Sequence, residues 1–286
     1  MTLILSCITD SPSAHRILRC SAIWARAQGL PVRFVHVGDL DGGGRARLDG
    51  LIALETDDVA ASVEIHRPPP RARVADAICD LAGQTNADLV IIGALSREGA
   101  LRDLVGSTAR RVARRAPCSV LLVSTTGRDA REWSRFIVGV DFSASSAELA
   151  STVLRIARTI TARSEVCFAH EYSGEPSEPG HPAGPRHPVV SAVRMAAERY
   201  QLTNFIDGLD AQGVTASTAA LPGRPGQEIA RYAEDIRADL VGVVAPAKPL
   251  GFLDRLLSHP MNLLLDRLPC SVLLFRPAGV PEGSST

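Results

Sequence analysis

The sequence predicts an α/β protein built as two tandem, doubly wound, five-stranded parallel-sheet domains. The hexapeptide Pro-Cys-Ser-Val-Leu-Leu occurs at 117–122 and again at 269–274, which indicates an internal repeat. Short apolar runs alternate with longer amphipathic ones, as in repeated βαβ units. Runs such as 89–92 and 120–123 are apolar throughout, which is typical of strands covered by helices on both faces. The sequence therefore predicts two copies of one unit of about 140 residues.

The elements of the first copy follow from this alternation. Apolar runs predict strands at 3–9, 31–37, 61–66, 87–93 and 118–124. Apolar residues spaced three or four apart predict helices between them, at 13–28, 44–56, 71–85 and 104–115. Because each helix separates two apolar strands, the pattern favours right-handed crossovers between parallel strands.

The second copy repeats this plan. Its predicted strands are 135–141, 164–170, 214–220, 239–245 and 270–276, and its predicted helices are 144–162, 189–212, 225–237 and 258–267. The run Ala-Asp-Leu-Val precedes strand four in both copies, at 87–90 and 238–241, which supports the alignment. We expect domain 1 at 1–125, a linker at 126–134, domain 2 at 135–277 and a flexible tail at 278–286.

Charge and composition exclude several classes of protein. The 31 basic and 31 acidic residues cancel, so no overall positive charge favours a nucleic acid or an anionic membrane as partner. No run of 18 uncharged apolar residues predicts a membrane span. Lys248 is the only lysine, so the first 247 residues contain no P-loop lysine. The six cysteines form no Cys-x-x-Cys pair and no signal peptide is evident, so we expect buried thiols in a cytoplasmic protein.

A candidate anion site follows predicted strand four of the first copy. In doubly wound sheets, ligands bind beyond the carboxyl ends of the strands. Gly93 and Ser96 are small residues that let main-chain amides approach a ligand closely. Gly106, Ser107 and Thr108 stand at the start of the next helix, where free N–H groups, the helix dipole and two hydroxyls favour a phosphate. A glycine-rich turn with a capped helix and no ligand is the simpler interpretation.

This arrangement resembles the universal stress protein family, whose ATP-binding members carry Gly-x2-Gly-x9-Gly-[Ser/Thr] at this place. The first copy matches that spacing, with serine at the second glycine position. The resemblance covers both copies essentially end to end and implies the adenine nucleotide alpha hydrolase-like fold, with ATP bound without a Walker motif. It implies these phosphate-binding residues: Gly93, Ser96, Arg97, Gly106, Ser107 and Thr108.

The resemblance also implies a base and ribose end of the site. Family members hold the adenine with an aspartate at the end of strand one, where this chain has Thr9 and, one residue later, Asp10. We expect one of these near the adenine or ribose and the Val37 main chain at the adenine edge. The second copy retains Asp141, but its phosphate loop lacks the glycines, and Asp141 can equally bind a turn amide. The implied cofactor is ATP, optionally with Mg²⁺, and no residue is assigned as a metal ligand.

The predicted function is a stress-response sensor or regulator that binds ATP or a related adenine nucleotide in domain 1. No general base or nucleophile is identifiable, so we expect no dedicated catalysis and at most slow, incidental ATP hydrolysis. One alternative is an interaction scaffold that works without a nucleotide. Another is an ATP-dependent ligase, which the segment 9–13 disfavours because it does not resemble the Ser-Gly-Gly-x-Asp-Ser loop of those enzymes.

The repeated hexapeptide also predicts how the two domains associate. A fifth strand lies at the edge of its sheet, and an exposed edge must be covered. Family members pair through this strand about a two-fold axis, so 117–123 is expected to pair with 269–275. One chain would then be a pseudo-dimer about a pseudo-two-fold axis, and tandem chains could pair further as a homodimer.

Overall fold

The computed structural model describes residues 3–94, 105–124, 127–161, 163–172, 188–245, 264–265 and 268–277. The helix predicted at 258–267 therefore lies almost wholly outside the described residues. All six cysteines are free thiols. In the part of the chain that is described, no helix is long and apolar enough to cross a bilayer.

The first half of the chain, the N-terminal unit, alternates strands and helices as predicted. Its elements are β1 (Ile4–Cys7), α1 (Ala14–Gln28), β2 (Val32–Val37), α2 (Gly42–Glu55), β3 (Ala61–His66), α3 (Val74–Gln84), β4 (Leu89–Gly93), α4 (Ser107–Arg115) and β5 (Ser119–Val123). Local chemistry sets the helix ends. Helix α1 ends at Gly29, which adopts the left-handed conformation at φ 65°. Helix α2 begins after Asp41, whose carboxylate accepts a hydrogen bond from the Gly44 amide.

The second half, the C-terminal unit, repeats the order, and its two outermost strands are longer. Its elements are β6 (Arg135–Gly139), α5 (Ala144–Ile160), β7 (Glu165–Tyr172), α6 (Pro188–Asp207), β8 (Thr215–Pro222), α7 (Glu228–Asp235), β9 (Leu240–Val244) and β10 (Ser271–Phe275). A short 3-10 helix at Ala130–Glu132 lies between the units. Helix α5 begins after Ser143, whose hydroxyl accepts a hydrogen bond from the Ser146 amide.

The ten strands form one continuous sheet in the order β3-β2-β1-β4-β5-β10-β9-β6-β7-β8. Within each unit all neighbouring strands are parallel, whereas β5 and β10 pair antiparallel, with Leu121 opposite Leu273. The structure thus confirms the predicted pairing of the two final strands. Because β5 and β10 pair, the two five-stranded sheets are halves of a single sheet. The edge strand of each half is thereby covered by the other half.

The serine of each repeated hexapeptide forms hydrogen bonds across the junction, the antiparallel pair of β5 and β10. Ser119 Oγ accepts from the Arg276 amide at 3.0 Å and donates to the Arg276 carbonyl at 3.1 Å. At the other end of the strand pair, Ser271 Oγ accepts from the Ser124 amide at 3.1 Å. Each serine therefore satisfies main-chain groups just beyond the end of the partner strand, which accounts for its presence in both copies.

The segment predicted as a linker is packed against the N-terminal unit. The indole of Trp133 is buried and its Nε1–H donates to the Arg128 carbonyl at 3.3 Å. Arg19 of α1 bridges the Asp129 and Glu55 carboxylates at 2.7 and 2.8 Å, and Glu55 is itself buried. These contacts hold 127–134 in place between the two units.

The repeated Ala-Asp-Leu-Val run also has a structural role. In the second copy, Asp239 is buried and one carboxylate oxygen accepts from the Ser134 and Arg135 amides at 2.8 and 3.0 Å. Asp239→Ala leaves both amides without this acceptor, so we expect the free energy of unfolding to fall by about 1–3 kcal/mol. Urea unfolding measures the change. The exposed Asp235→Ala is the control, and an equal loss in both variants would contradict this role.

Candidate functional site

A cleft opens at the carboxyl ends of β1, β2 and β4 in the N-terminal unit. This is the point where the strand order reverses, since β1 lies between β2 and β4. The cleft has a volume of about 870 Å³, which is in the range of small-molecule sites. Its walls include Thr9, Asp10, His36, Val37, Gly93, Gly106, Ser107 and Thr108. The structure therefore brings together seven of the nine predicted site residues, and it adds His36.

One end of the cleft is formed by the start of helix α4. The first i→i−4 hydrogen bond of α4 runs from the Arg110 amide to the Gly106 carbonyl. The amides of Ser107, Thr108 and Ala109 come before it, so they have no carbonyl partner within the helix. None of the three has a hydrogen-bond partner among the described residues. Unpaired amides at a helix N-terminus, together with the helix dipole, favour an anion.

Gly106 differs from the expectation. Its amide donates to the Ala94 carbonyl at 2.8 Å, so this N–H is not available to a phosphate. Gly93 ends β4 on the cleft wall, where a Cβ would lie 3.5 Å from Ile17 Cδ1. The other two predicted phosphate-binding residues, Ser96 and Arg97, lie outside the described residues.

The other end of the cleft presents the main chain of Val37. The Gly38 amide donates to His66 of β3 at 3.0 Å, and the Ile8 amide donates to the Val35 carbonyl at 2.9 Å. Successive residues of a strand direct their main-chain groups to opposite sides, so the Val37 N–H and C=O point towards β1. Pairing with β1 stops at Cys7, and no described residue hydrogen-bonds to Val37 on that side. The cleft thus contains an adjacent donor and acceptor without partners.

Asp10 does not present a free carboxylate to the cleft. Both of its oxygens accept hydrogen bonds from the Arg47 guanidinium of α2, and this ion pair holds the pKa of Asp10 below its ordinary value. The neighbouring Thr9 hydroxyl donates to Ser11 Oγ at 3.1 Å. Sequence reasoning missed Arg47, because nothing in the local pattern of α2 indicates that it reaches across to Asp10.

This ion pair leads to a prediction on pH. We expect Arg47→Met to raise the pKa of Asp10 towards its ordinary value of 3.8. Because the pKa is lowered in the folded protein, the pair stabilises the fold above the unfolded pKa, and that stabilisation disappears as the pH falls through the folded pKa. Carboxyl carbon NMR titration of Asp10 in both proteins measures the shift. An unchanged titration curve would contradict the contact.

At the equivalent strand ends of the C-terminal unit, the described side chains contact one another and nearby amides. Phe142 follows Asp141 with φ 61° and packs its ring 4.6 Å from that of His170. Asp141 accepts hydrogen bonds from the Ser143 amide and hydroxyl, at 3.0 and 2.5 Å, so it serves a turn. Glu171 occupies the position that corresponds to Val37, and its carboxylate accepts from two amides at the start of α7.

The carboxylates at the mouth of the N-terminal cleft are already engaged. Asp39 is 3.2 Å from the Arg67 guanidinium, and Asp41 accepts from the Gly44 amide at 2.6 Å. Within the described ranges, no three His, Cys, Asp or Glu side chains converge as ligands of a metal ion. These carboxylates therefore have partners, whereas the main-chain groups of Val37 and of the start of α4 have none among the described residues.

The profile of the universal stress protein family matches residues 1–124 and 132–276. The chain belongs to the universal stress protein family. The two matches place one copy of the family domain in each unit, so this universal stress protein carries the domain twice in tandem. Comparison with curated proteins gave no match.

Solved structures share the fold of this universal stress protein over its whole length. A protein of unknown function from Pseudomonas aeruginosa aligns with TM-score 0.70 and 16% identity, covering 97% of this chain and 93% of its own. A candidate universal stress protein from Pseudomonas aeruginosa aligns with TM-score 0.70 and 15% identity over 97% and 94%. A universal stress protein from Archaeoglobus fulgidus aligns with TM-score 0.60 and 14% identity over 96% and 98%. At these identities, the likeness establishes the fold alone.

Proposed function

We propose that this universal stress protein binds ATP or a related adenine nucleotide in the cleft of its N-terminal unit and acts as a stress-response sensor or regulator. One observation carries the proposal. The same cleft contains the unpaired amides of α4 and the unpaired N–H and C=O of Val37. Phosphate oxygens accept hydrogen bonds from amides, and the adenine edge offers one acceptor and one amino donor. The two sets of groups thus match the two ends of an adenine nucleotide.

The bound nucleotide would be held mainly by main-chain groups. In this proposal, the amides and hydroxyls of Ser107 and Thr108 contact the phosphates, while Gly93 and Gly106 keep the cleft wall free of side chains. Ser96 and Arg97 are proposed phosphate contacts on the basis of the family motif alone. Thr9 and Asp10 would lie near the adenine or ribose. Mg²⁺, when present, would neutralise phosphate charge and would be bound through the phosphates, since the carboxylates at the mouth already have partners.

We also propose that the site lacks dedicated catalysis. The hydroxyls of Thr9, Ser11 and Ser13 hydrogen-bond to one another, at 3.1 and 3.2 Å, and none has a base as partner. His36 Nδ1 is held by the Ile8 carbonyl. No activated nucleophile is present among the described residues of the cleft, so ATP hydrolysis would be slow and incidental.

We also propose two further properties. The first is that the domains extend over 1–125 and 135–277, and the second is that the protein is cytoplasmic. The packed segment 127–134 supports the first, because it separates the two units without joining either sheet. The six free thiols support the second, because disulfides are rare in a reducing compartment.

A thermal-shift experiment tests the proposed function. A ligand that binds only the native state raises the melting temperature, and at 100 times Kd it adds about 2.7 kcal/mol of stability. We expect ATP with Mg²⁺ to raise the melting temperature of nucleotide-free protein, and ribose 5-phosphate to have a smaller effect because it lacks the base. No shift with millimolar ATP would contradict nucleotide binding and would favour the nucleotide-independent scaffold.

A further inference from the structure

The tautomer of His36 is set by its contact with strand β1. His36 Nδ1 lies 3.2 Å from the carbonyl oxygen of Ile8. A carbonyl oxygen can only accept, so in the neutral imidazole the hydrogen resides on Nδ1 and Nε2 carries the lone pair. The ring therefore has its donor fixed to the main chain and its acceptor at the other nitrogen.

Two observations describe the surroundings of the acceptor nitrogen, Nε2. His36 lines the cleft, and Nε2 has no hydrogen-bond partner among the described residues. The next-but-one residue is Gly38 at φ 129°, a conformation that favours glycine, and a Cβ there would lie 3.9 Å from Nε2. Both oxygens of nearby Asp10 accept hydrogen bonds from Arg47, so Asp10 is not a hydrogen-bond partner of the histidine.

We propose that His36 selects the base of the bound nucleotide by offering Nε2 as a second acceptor beside the Val37 carbonyl. This inference rests on the proposed function. Two acceptors suit the amino group of adenine, which has two hydrogens to donate. Hypoxanthine has the same size but carries a carbonyl oxygen at that position and an N–H at its N1. Its oxygen would face two acceptors and its N1–H would face the Val37 N–H.

The mismatch predicts a measurable preference. Buried polar groups that lose their partners weaken binding by about tenfold to a hundredfold each. We therefore expect ATP to bind at least tenfold more tightly than ITP, its hypoxanthine counterpart. If the histidine only supported the strand end, replacing it would change the affinities for ATP and ITP by the same factor. The ratio of the two affinities therefore distinguishes base selection from structural support.

The C-terminal unit supplies a matched control. His170 is anchored in the same way, with Nδ1 2.6 Å from the Val140 carbonyl. Its Nε2, however, lies 3.5 Å from the Glu198 carboxylate, and Phe142 packs against its ring. His170→Phe thus replaces an equivalent imidazole whose Nε2 already lies beside a carboxylate.

The test compares ATP and ITP binding by calorimetry in the wild type, His36→Phe and His170→Phe. We expect His36→Phe to weaken ATP binding and to lower the preference over ITP by about tenfold, the share of one lost partner, because the Val37 main chain still discriminates between the two bases. His170→Phe should retain both the affinity and the preference. A wild-type ratio in His36→Phe would overturn the inference while leaving nucleotide binding intact. If the wild type bound neither nucleotide, the proposed function would fail, and this inference with it.

A second measurement does not require a stable variant. Long-range ¹H–¹⁵N NMR of the wild-type histidines, at a pH where the rings are neutral, distinguishes the two tautomers. We expect His36 to carry its hydrogen on Nδ1, and its Nε2 resonance to move on addition of ATP but not of ITP. A hydrogen on Nε2, or an equal movement with both nucleotides, would overturn the proposal.

Discussion

Ser107→Asp should reduce ATP binding by at least about a hundredfold while leaving α4 intact or slightly more stable. The new carboxylate would sit at the first position of α4, beside the three unpaired amides. A carboxylate there is attracted to the helix N-terminus, which adds about 0.3–1 kcal/mol to stability. The same charge would repel a phosphate from that position. Binding and stability are thus expected to change in opposite directions.

Titration calorimetry with ATP, combined with urea unfolding, measures both effects. Ser107→Asn is the matched control, because asparagine has nearly the same size as aspartate and no charge. We expect it to retain most of the binding. If Ser107→Asp bound ATP as well as the wild type did, the start of α4 would not be the phosphate position.

Trp133→Ala is expected to lower the free energy of unfolding by about 3–5 kcal/mol, the usual cost of removing a buried tryptophan. The Trp133 indole is buried in the core cluster that includes residues of both units, such as Ile23 of α1 and Leu154 of α5. Its removal would leave a cavity that the surrounding helices fill only partly. It would also release one of the contacts that hold the segment 127–134 in place.

Urea unfolding followed by circular dichroism measures this loss. Glu132→Ala is the control, since Glu132 lies in the same segment and is exposed. Its free energy of unfolding should change little. If the Trp133→Ala protein were as stable as the Glu132→Ala protein, the segment 127–134 would connect the two units without contributing to their stability.

The tandem arrangement gives the two units different roles. The N-terminal unit places the apolar Val37 at the end of its second strand, whereas the C-terminal unit places Glu171 there, and its carboxylate accepts from the amides of Gly226 and Ile229. Both units contribute equally to the junction, through β5 and β10. The second copy thus completes the sheet, and the asymmetry of the chain lies in the clefts.

The architecture was largely predictable from the sequence. All ten strands lie where the apolar runs indicate, because strands buried on both faces leave a clear apolar signal. Element ends were less accurate. Helix α2 begins at Gly42 rather than 44 because Asp41 caps it, and α4 begins at Ser107 rather than 104. Strands β7 and β8 each end two residues later than the runs indicate, at Tyr172 and Pro222.

The candidate site was only partly predictable. Gly93 and Ser107 lie on the cleft wall because the first ends a strand and the second begins a helix, and both positions can be read from the sequence pattern. Their contact with a phosphate stays a prediction. The engagement of the Gly106 amide and the Asp10–Arg47 ion pair could not be foreseen. These contacts join residues distant in sequence, and their geometry depends on how loops and helices pack.

The most direct test of the nucleotide site is amide hydrogen exchange, resolved by residue, with and without ATP. We expect exchange to slow at the Val37 amide and at the amides of Ser107, Thr108 and Ala109 together, because ATP supplies the partners that these groups lack. Exchange at Glu171 of the C-terminal unit should not change. Unchanged exchange at both ends of the N-terminal cleft in the presence of bound ATP would show that these main-chain groups do not hold the nucleotide.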